Sequence, residues 1–202
     1  MSLFITFEGA DGCGKTTQIE LLNKYLQKQG FKTLVTREPG AKGLGEKLRE
    51  ILLNYDGEVS PTCESFLFLA DRAQHVDCII KPALNDGIIV LCDRHTDSTV
   101  AYQGYGRQLD IKQIKKLNNI AVNGLKPDLT IVFDIDIETS MQRVGSTKDR
   151  MESSGIDFFK RVREGFLTIA KNEPERVKVI NSADTIENIH KQVVKLVKEK
   201  NG

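Results

Sequence analysis

Leu3-Phe4-Ile5-Thr6-Phe7-Glu8-Gly9-Ala10-Asp11-Gly12-Cys13-Gly14-Lys15-Thr16-Thr17 is the stretch that decides how this chain folds. A short run of β-branched and aromatic residues enters a glycine-bounded turn, and a helical pattern follows at once. From Gly9 to Thr16 the turn satisfies G-x-x-x-x-G-K-[ST] in full. The strand before it and the helix after it are the context this phosphate-binding loop requires. Glycines let main-chain N–H groups turn inward around phosphate oxygens with no Cβ in the way. The first turn of the helix adds aligned dipole ends. Gly9, Ala10, Asp11, Gly12, Cys13, Gly14, Lys15, Thr16 and Thr17 are therefore the candidate triphosphate-binding residues. In such a loop the lysine, here Lys15, reaches the β- and γ-phosphates, and the Thr16 hydroxyl ligates Mg²⁺. Cys13 reads as a small residue that fits the turn; a redox-sensitive thiol is the alternative.

Outward from this loop the pattern repeats. Residues 15–29 carry Ile19, Leu22 and Leu26 on one stripe, and Gly30 closes the helix. Strand-like runs at 33–36, 88–92, 129–133 and 177–180 alternate with helical patterns. Those patterns fall at 45–53, from Pro61 to about residue 84, at 111–122, 139–144 and 158–170, and from Ile186 to Val197. The third helix carries Phe66, Leu69, Ala73 and Val76 at helical spacing. The run 88–92 is almost purely apolar, as a strand buried on both faces should be. The alternation predicts an α/β fold, a P-loop NTPase three-layer sandwich. Its five-stranded parallel sheet has helices on both faces and forms one domain over residues 1–202. Ligands belong beyond the carboxyl ends of the strands.

Composition narrows the function classes. At 202 residues, 40% hydrophobic and 28% charged, the chain suits one soluble domain with a real core. Its net charge of +1, from 29 basic and 28 acidic residues, gives no footprint for nucleic acid or an anionic membrane. Cys13, Cys63, Cys78 and Cys92 have no metal-ligand spacing and read as free thiols. The N-terminus lacks a basic region and a long apolar run, and no segment approaches the ~20 apolar residues of a membrane helix. A cytoplasmic protein is expected.

A carboxylate at the end of the buried 88–92 run, Asp93, can hold a magnesium-bound water; a solvated loop aspartate is the alternative. The loop alone names no phosphate acceptor. A GTPase reading is weak. Thr147-Lys148-Asp149-Arg150 places its aspartate one position early for guanine recognition, and Asp93 is followed by Arg94-His95.

Three further segments form a constellation: Arg37-Glu38-Pro39-Gly40 after the second strand, Phe68-Leu69-Ala70-Asp71-Arg72 on the third helix, and Asp93-Arg94-His95-Thr96-Asp97-Ser98-Thr99-Val100-Ala101-Tyr102-Gln103-Gly104 after the third strand. Together with Phe7-Glu8-Gly9-Ala10-Asp11 they resemble the thymidylate kinase family, and the resemblance covers essentially the whole chain. It implies the reaction dTMP + ATP → dTDP + ADP, a step in dTTP synthesis. It also implies ATP with Mg²⁺ as cofactor, a cytoplasmic enzyme and a homodimer.

The resemblance also implies roles for the acceptor residues. Asp11 would contact the 3′-hydroxyl of dTMP, Tyr102 would pack against its sugar, and Ser98, Thr99 and Gln103 would surround the base beside Glu38 and Pro39. Each transferred role has a physical reading. Phe68 offers a flat face for a pyrimidine; Arg72, one turn later, can donate to O4. Arg37 and Arg94 can grip the acceptor phosphate with planar forks, and they neutralise charge that repels the incoming phosphoryl group. Surface ion pairs for Arg37 and Arg72, and a core position for Tyr102, are the structural alternatives. His95, where the family often has tyrosine, receives no catalytic role.

Residues 143–155 are rich in small and charged types, a composition that suits a mobile lid. Some family members carry an arginine in the phosphate loop, where this chain has Gly12. The catalytic cation is therefore expected from the lid, as in a bacterial-like type. Lys15, Arg94 and Arg150 are the expected catalytic residues. Arg143 is placed against adenine and a phosphate, and Lys148 either assists or is merely solvated. Asn181-Ser182-Ala183 forms a candidate adenine-side loop, and the helices carrying Phe66 and spanning 111–122 are candidate dimer faces.

Two rival functions stay open. One is a kinase of another pyrimidine nucleotide or of a deoxynucleoside, for which Glu38 could serve as the base. The other is a non-catalytic nucleotide sensor.

Overall fold

A computed structural model describes residues 2–144 and 154–201. Its strands β1 (Phe4–Gly9), β2 (Thr33–Arg37), β3 (Ile89–Asp93), β4 (Leu129–Asp134) and β5 (Val177–Asn181) pair in parallel. They stand in the order β2-β3-β1-β4-β5. β1 is central because every one of its residues is buried, and only a sheet covered on both faces accommodates such a strand. The five-stranded sandwich expected from the sequence is the fold observed.

Helix α1 (Lys15–Lys28) buries Ile19, Leu22 and Leu26 against β1, β3 and β4, with Val193 and Val197 of α9 (Ile186–Asn201) packed alongside. Each such fully buried aliphatic side chain stabilises the fold by roughly 1.5–3 kcal/mol. Gly30, at φ +84°, takes the left-handed position that ends α1. The other face is covered by α8 (Ile156–Asn172), through Phe158, Val162, Phe166 and Ile169. Helix α2 (Leu44–Asn54) packs on α3 (Pro61–His75). Pro61 occupies the first turn of α3, capped by Ser60 Oγ on Cys63 N. Helices α6 (Ile111–Ala121) and α7 (Ile137–Val144) complete the described set with the two short ones below. Among the described residues, no helix is long and apolar enough to cross a membrane.

The structure corrects three expectations. First, the third helix is not uniform: α3 passes through a π-helical turn, Val76–Ile80, into α4 (Lys81–Asn85). Second, Phe66 is 53% exposed, and the inward face of α3 carries Glu64, Asp71, Arg72 and His75. Apolar periodicity missed this face because the helix covers a polar network rather than a greasy one. Ile186 likewise points outward from α9, leaving Ile189, Val193 and Val197 as its buried stripe. Third, residues 96–106, for which the pattern predicts no element, form α5 (Thr96–Thr99) and a π-helical segment, Val100–Gly106. This segment is buried nearly all round, so it has no amphipathic signature. A Cβ on Gly106 would fall 2.6 Å from the Phe158 ring.

Candidate active site

The sheet register brings three sequence-distant strand ends together. Phe7 pairs with Asp93, and Asp93 pairs with Arg37. Beyond this edge lies one cavity of about 280 Å³, close to the size of a small-ligand pocket.

On its donor side is the phosphate loop. Gly9 sits at φ +134°, where an added Cβ would lie 2.5 Å from Phe133 O, so no side chain fits. Gly14 at φ +92° starts α1 and leaves its first N–H groups without a side-chain cap. Uncapped amides of this kind are able to bind an anion. Lys15 Nζ donates to Gly9 O at 3.2 Å and Ala10 O at 3.0 Å, so the ammonium is held within the loop. Cys13 is buried in the core beneath it, consistent with a small residue that fits. Ser140 Oγ of α7 donates to Asp11 O at 2.6 Å, tying that helix to the loop. Arg143 Nη1 reaches Gly12 O at 3.5 Å from the same helix. Thr16 and Asp93 both line the cavity, and Asp93 Oδ1 is buried without a protein partner.

Arg94 is the hinge between the two sides. Its N–H donates to Phe7 O, continuing the sheet pairing, yet its φ is +67°. A non-glycine residue held in that region is a local strain of the kind found at functional sites. The turn aims the guanidinium into the cavity. Nη2 meets Asp11 Oδ1 at 2.7 Å, Nη1 meets Ser98 Oγ at 3.2 Å, and the group stacks over the Tyr102 ring at 5.0 Å. Burial raises the Asp11 pKa, but the Arg94 and Lys15 charges prevail and hold the carboxyl down to about 2.

On the acceptor side, Arg37, Pro39, Phe68, Arg72, Ser98, Thr99, Tyr102 and Gln103 line the same cavity. Every acceptor residue expected from the sequence is brought to this one place. Tyr102 meets both of its readings: it faces the cavity while its ring edges pack on Phe158 and Phe166.

At the floor of the cavity and behind it is a buried network that sequence reasoning did not foresee. Glu38 accepts from Arg72 Nε at 2.8 Å on Oε2, while Oε1 lies 2.8 Å from His75 Nδ1 and 3.0 Å from His95 Nδ1. Arg72 also donates through Nη1 to Thr99 Oγ1 and Asn118 Oδ1, and through Nη2 to His95 O. Four of its five donors are thus fixed by protein, so the arginine expected at the base is far more constrained than an exposed one. Burial pushes the Glu38 pKa up, but Arg72 and His95 outweigh it and hold the carboxyl well below its usual range. Burial lowers the His95 pKa and the Glu38 charge opposes it; the net shift is downward. Glu8 accepts from His95 N and Ser98 Oγ; burial and then Asp97 push its pKa up. Arg49 and Leu53 of α2 also line the cavity, and Arg49 Nη1 donates to Pro39 O. Nothing in their helical pattern marked them. Lys148 and Arg150 lie outside the described residues.

With this geometry in view, the comparisons with known proteins are decisive. The family model for thymidylate kinase matches residues 7–193. The chain belongs to the thymidylate kinase family. A thymidylate kinase of Sulfurihydrogenibium sp. is 47% identical over 201 residues, covering 99% of this chain and 98% of its own. One from Thermoanaerobacter sp. is 47% identical, with 97% of each chain covered. The crystal structure of thymidylate kinase from Ehrlichia chaffeensis superposes with a TM-score of 0.81 at 38% identity, covering 97% of this chain and 98% of that one.

Proposed function

We propose that this member of the thymidylate kinase family transfers the γ-phosphoryl group of ATP to dTMP, giving dTDP. The observation that carries the reading is one cavity shared by a phosphate loop and two strand-end arginines, Arg37 and Arg94. ATP would lie on Gly9–Thr17, with Lys15 against its β- and γ-phosphates and Arg143 at its outer edge. The dTMP phosphate would lie between Arg37 and Arg94, with Asp11 and Tyr102 at the sugar. Phe68 would stack on the base, while Arg72 and Gln103 meet its polar edge beside Ser98 and Thr99.

Thr16 and Asp93 would hold Mg²⁺. The fit is supported by the buried, unpartnered Asp93 Oδ1 at the end of β3, since an orphaned carboxylate oxygen is costly unless a cation or its water meets it. The ion supplies charge neutralisation across the transferred phosphoryl group. The acceptor is itself a phosphate oxygen, already anionic, so the chain's task is alignment and electrostatic stabilisation. Arg150 would supply the transition-state cation.

Glu38 bears on the deoxynucleoside alternative. A base for a 5′-hydroxyl needs a raised pKa and a free oxygen. Glu38 has neither, because Arg72, His75 and His95 occupy it. Its role here is to hold Arg72. We further propose a cytoplasmic homodimer whose contact uses α3 and the adjoining α6, where Phe66 and Ile120 are 53% and 66% exposed. A coupled assay of ADP release with dTMP, dUMP, UMP and thymidine side by side tests the assignment. Turnover of dTMP above all others is expected; turnover of thymidine without dTMP would refute it.

A further inference from the structure

Gln103 is the ambiguous member of the acceptor pocket, because its amide can offer either an oxygen or an NH₂ to a base. Its Nε2 donates to Glu64 Oε1 at 2.9 Å. Glu64 is buried on the first turn of α3 and does not line the cavity. It is also gripped by Arg107, whose Nε meets Oε1 at 3.2 Å and whose Nη2 meets Oε2 at 3.1 Å. This two-pronged guanidinium contact favours the ionised carboxylate, which can only accept. Turning the Gln103 amide over would set two bare oxygens against each other at the same separation. The Gln103 oxygen, which has no protein donor among the described residues, is left for the cavity.

We infer that Glu64, a residue that never touches substrate, sets base specificity by fixing which end of the Gln103 amide faces the pyrimidine. Arg72 can only donate. An Arg72 donor beside a Gln103 acceptor matches the C4 carbonyl and N3–H of thymine. It mismatches cytosine at both places, where an amino group and a bare nitrogen stand. Glu64 is thus a positioning residue, and Arg107 keeps it charged. The inference rests on the dTMP kinase reading above.

The test is kcat/KM for dTMP and dCMP in three variants, with folding checked by thermal melting. Glu64→Gln frees the Gln103 amide to rotate. It should lower the preference for dTMP over dCMP by about tenfold or more, the scale of one hydrogen-bond pair in base discrimination, and raise dCMP turnover in absolute terms. Mere structural damage cannot produce that gain. The swap E64Q/Q103E puts an amide donor against a new carboxylate, returns an oxygen to the cavity, and should restore the preference. A ratio unchanged in Glu64→Gln, or a swap that reads both bases alike, overturns the inference. If Glu64→Gln does not fold, the swap alone decides on the same criterion. Gln103→Leu separates the two readings. If it leaves the ratio unchanged, Gln103 does not face the base and the pocket assignment itself fails. If it shifts the ratio while Glu64→Gln does not, only the role of Glu64 falls.

Discussion

The two halves of the cavity are built in opposite ways. The donor half is one contiguous loop whose glycines and helix-start amides make the site from main chain. The acceptor half is made of side chains from β2, α3, α5 and the π-helical segment after it, and two of them are braced from behind: Arg72 by Asn118 and Gln103 by Glu64, neither of which lines the cavity. A main-chain site is as rigid as its strand and helix. A side-chain site is as rigid as the buried polar network that supports it. Substitutions on the donor side should therefore cost turnover with little stability, and substitutions beneath the acceptor side should cost both.

The largest effect is expected from Glu38→Ala, which leaves Arg72 buried without its carboxylate. Loss of one partner of a buried pair costs about 3–5 kcal/mol, measurable by urea unfolding, together with a rise in KM for dTMP. Little change in unfolding would erase the contrast between the halves. Lys15→Met is the matching donor-side test. Removing a preorganised cation should lower kcat by about 10²–10³-fold, while Tm stays within a few degrees of the parent. Arg150→Ala should lower kcat by roughly 10²-fold. If kcat held and only the ATP KM rose, Arg150 would be a binding residue.

How much of this was legible in the sequence follows from the same contrast. The phosphate loop, the five strands and their order of appearance were readable because local patterns specify them: glycine positions, short apolar runs, one motif. The acceptor residues on the cavity wall were found through resemblance, and the structure brings them together. Glu8, Glu64, His75 and Asn118 were not found. Their meaning lies in contacts spanning 22 to 90 positions of sequence, and no periodicity encodes such partners. The inward face of α3 is the clearest case. Its polar side chains are buried against partners on other segments, Glu64 against Gln103, and Arg72 and His75 against Glu38, whereas of the apolar stripe Leu69 and Val76 are buried and Phe66 is exposed.

The smallest predicted effect is on pH. Glu8 is raised above the ordinary value of 4.5 in the folded state, so folding favours its protonated form. Its contribution is complete below that value and is lost as pH rises toward the folded pKa. Glu38 is shifted the other way; its contribution is present above 4.5 and is lost only as pH falls through its lower folded pKa. Tm measured from pH 5 to 9 should decline from pH 5 to about 8 in the parent and level off above that, and should decline less in Glu8→Gln. Identical slopes would mean that Glu8 does not keep its proton.

The central claim is that two anions are held end to end, one by main-chain amides and Lys15, the other by Arg37 and Arg94. Calorimetric binding of a bisubstrate analogue, adenosine and thymidine joined through a polyphosphate bridge, tests this most directly. The account predicts a Kd far below that of ATP or dTMP alone, displacement by either nucleotide, and a large loss of affinity in both Lys15→Met and Arg94→Met. An analogue that binds no tighter than ATP, and that dTMP does not displace, would contradict it.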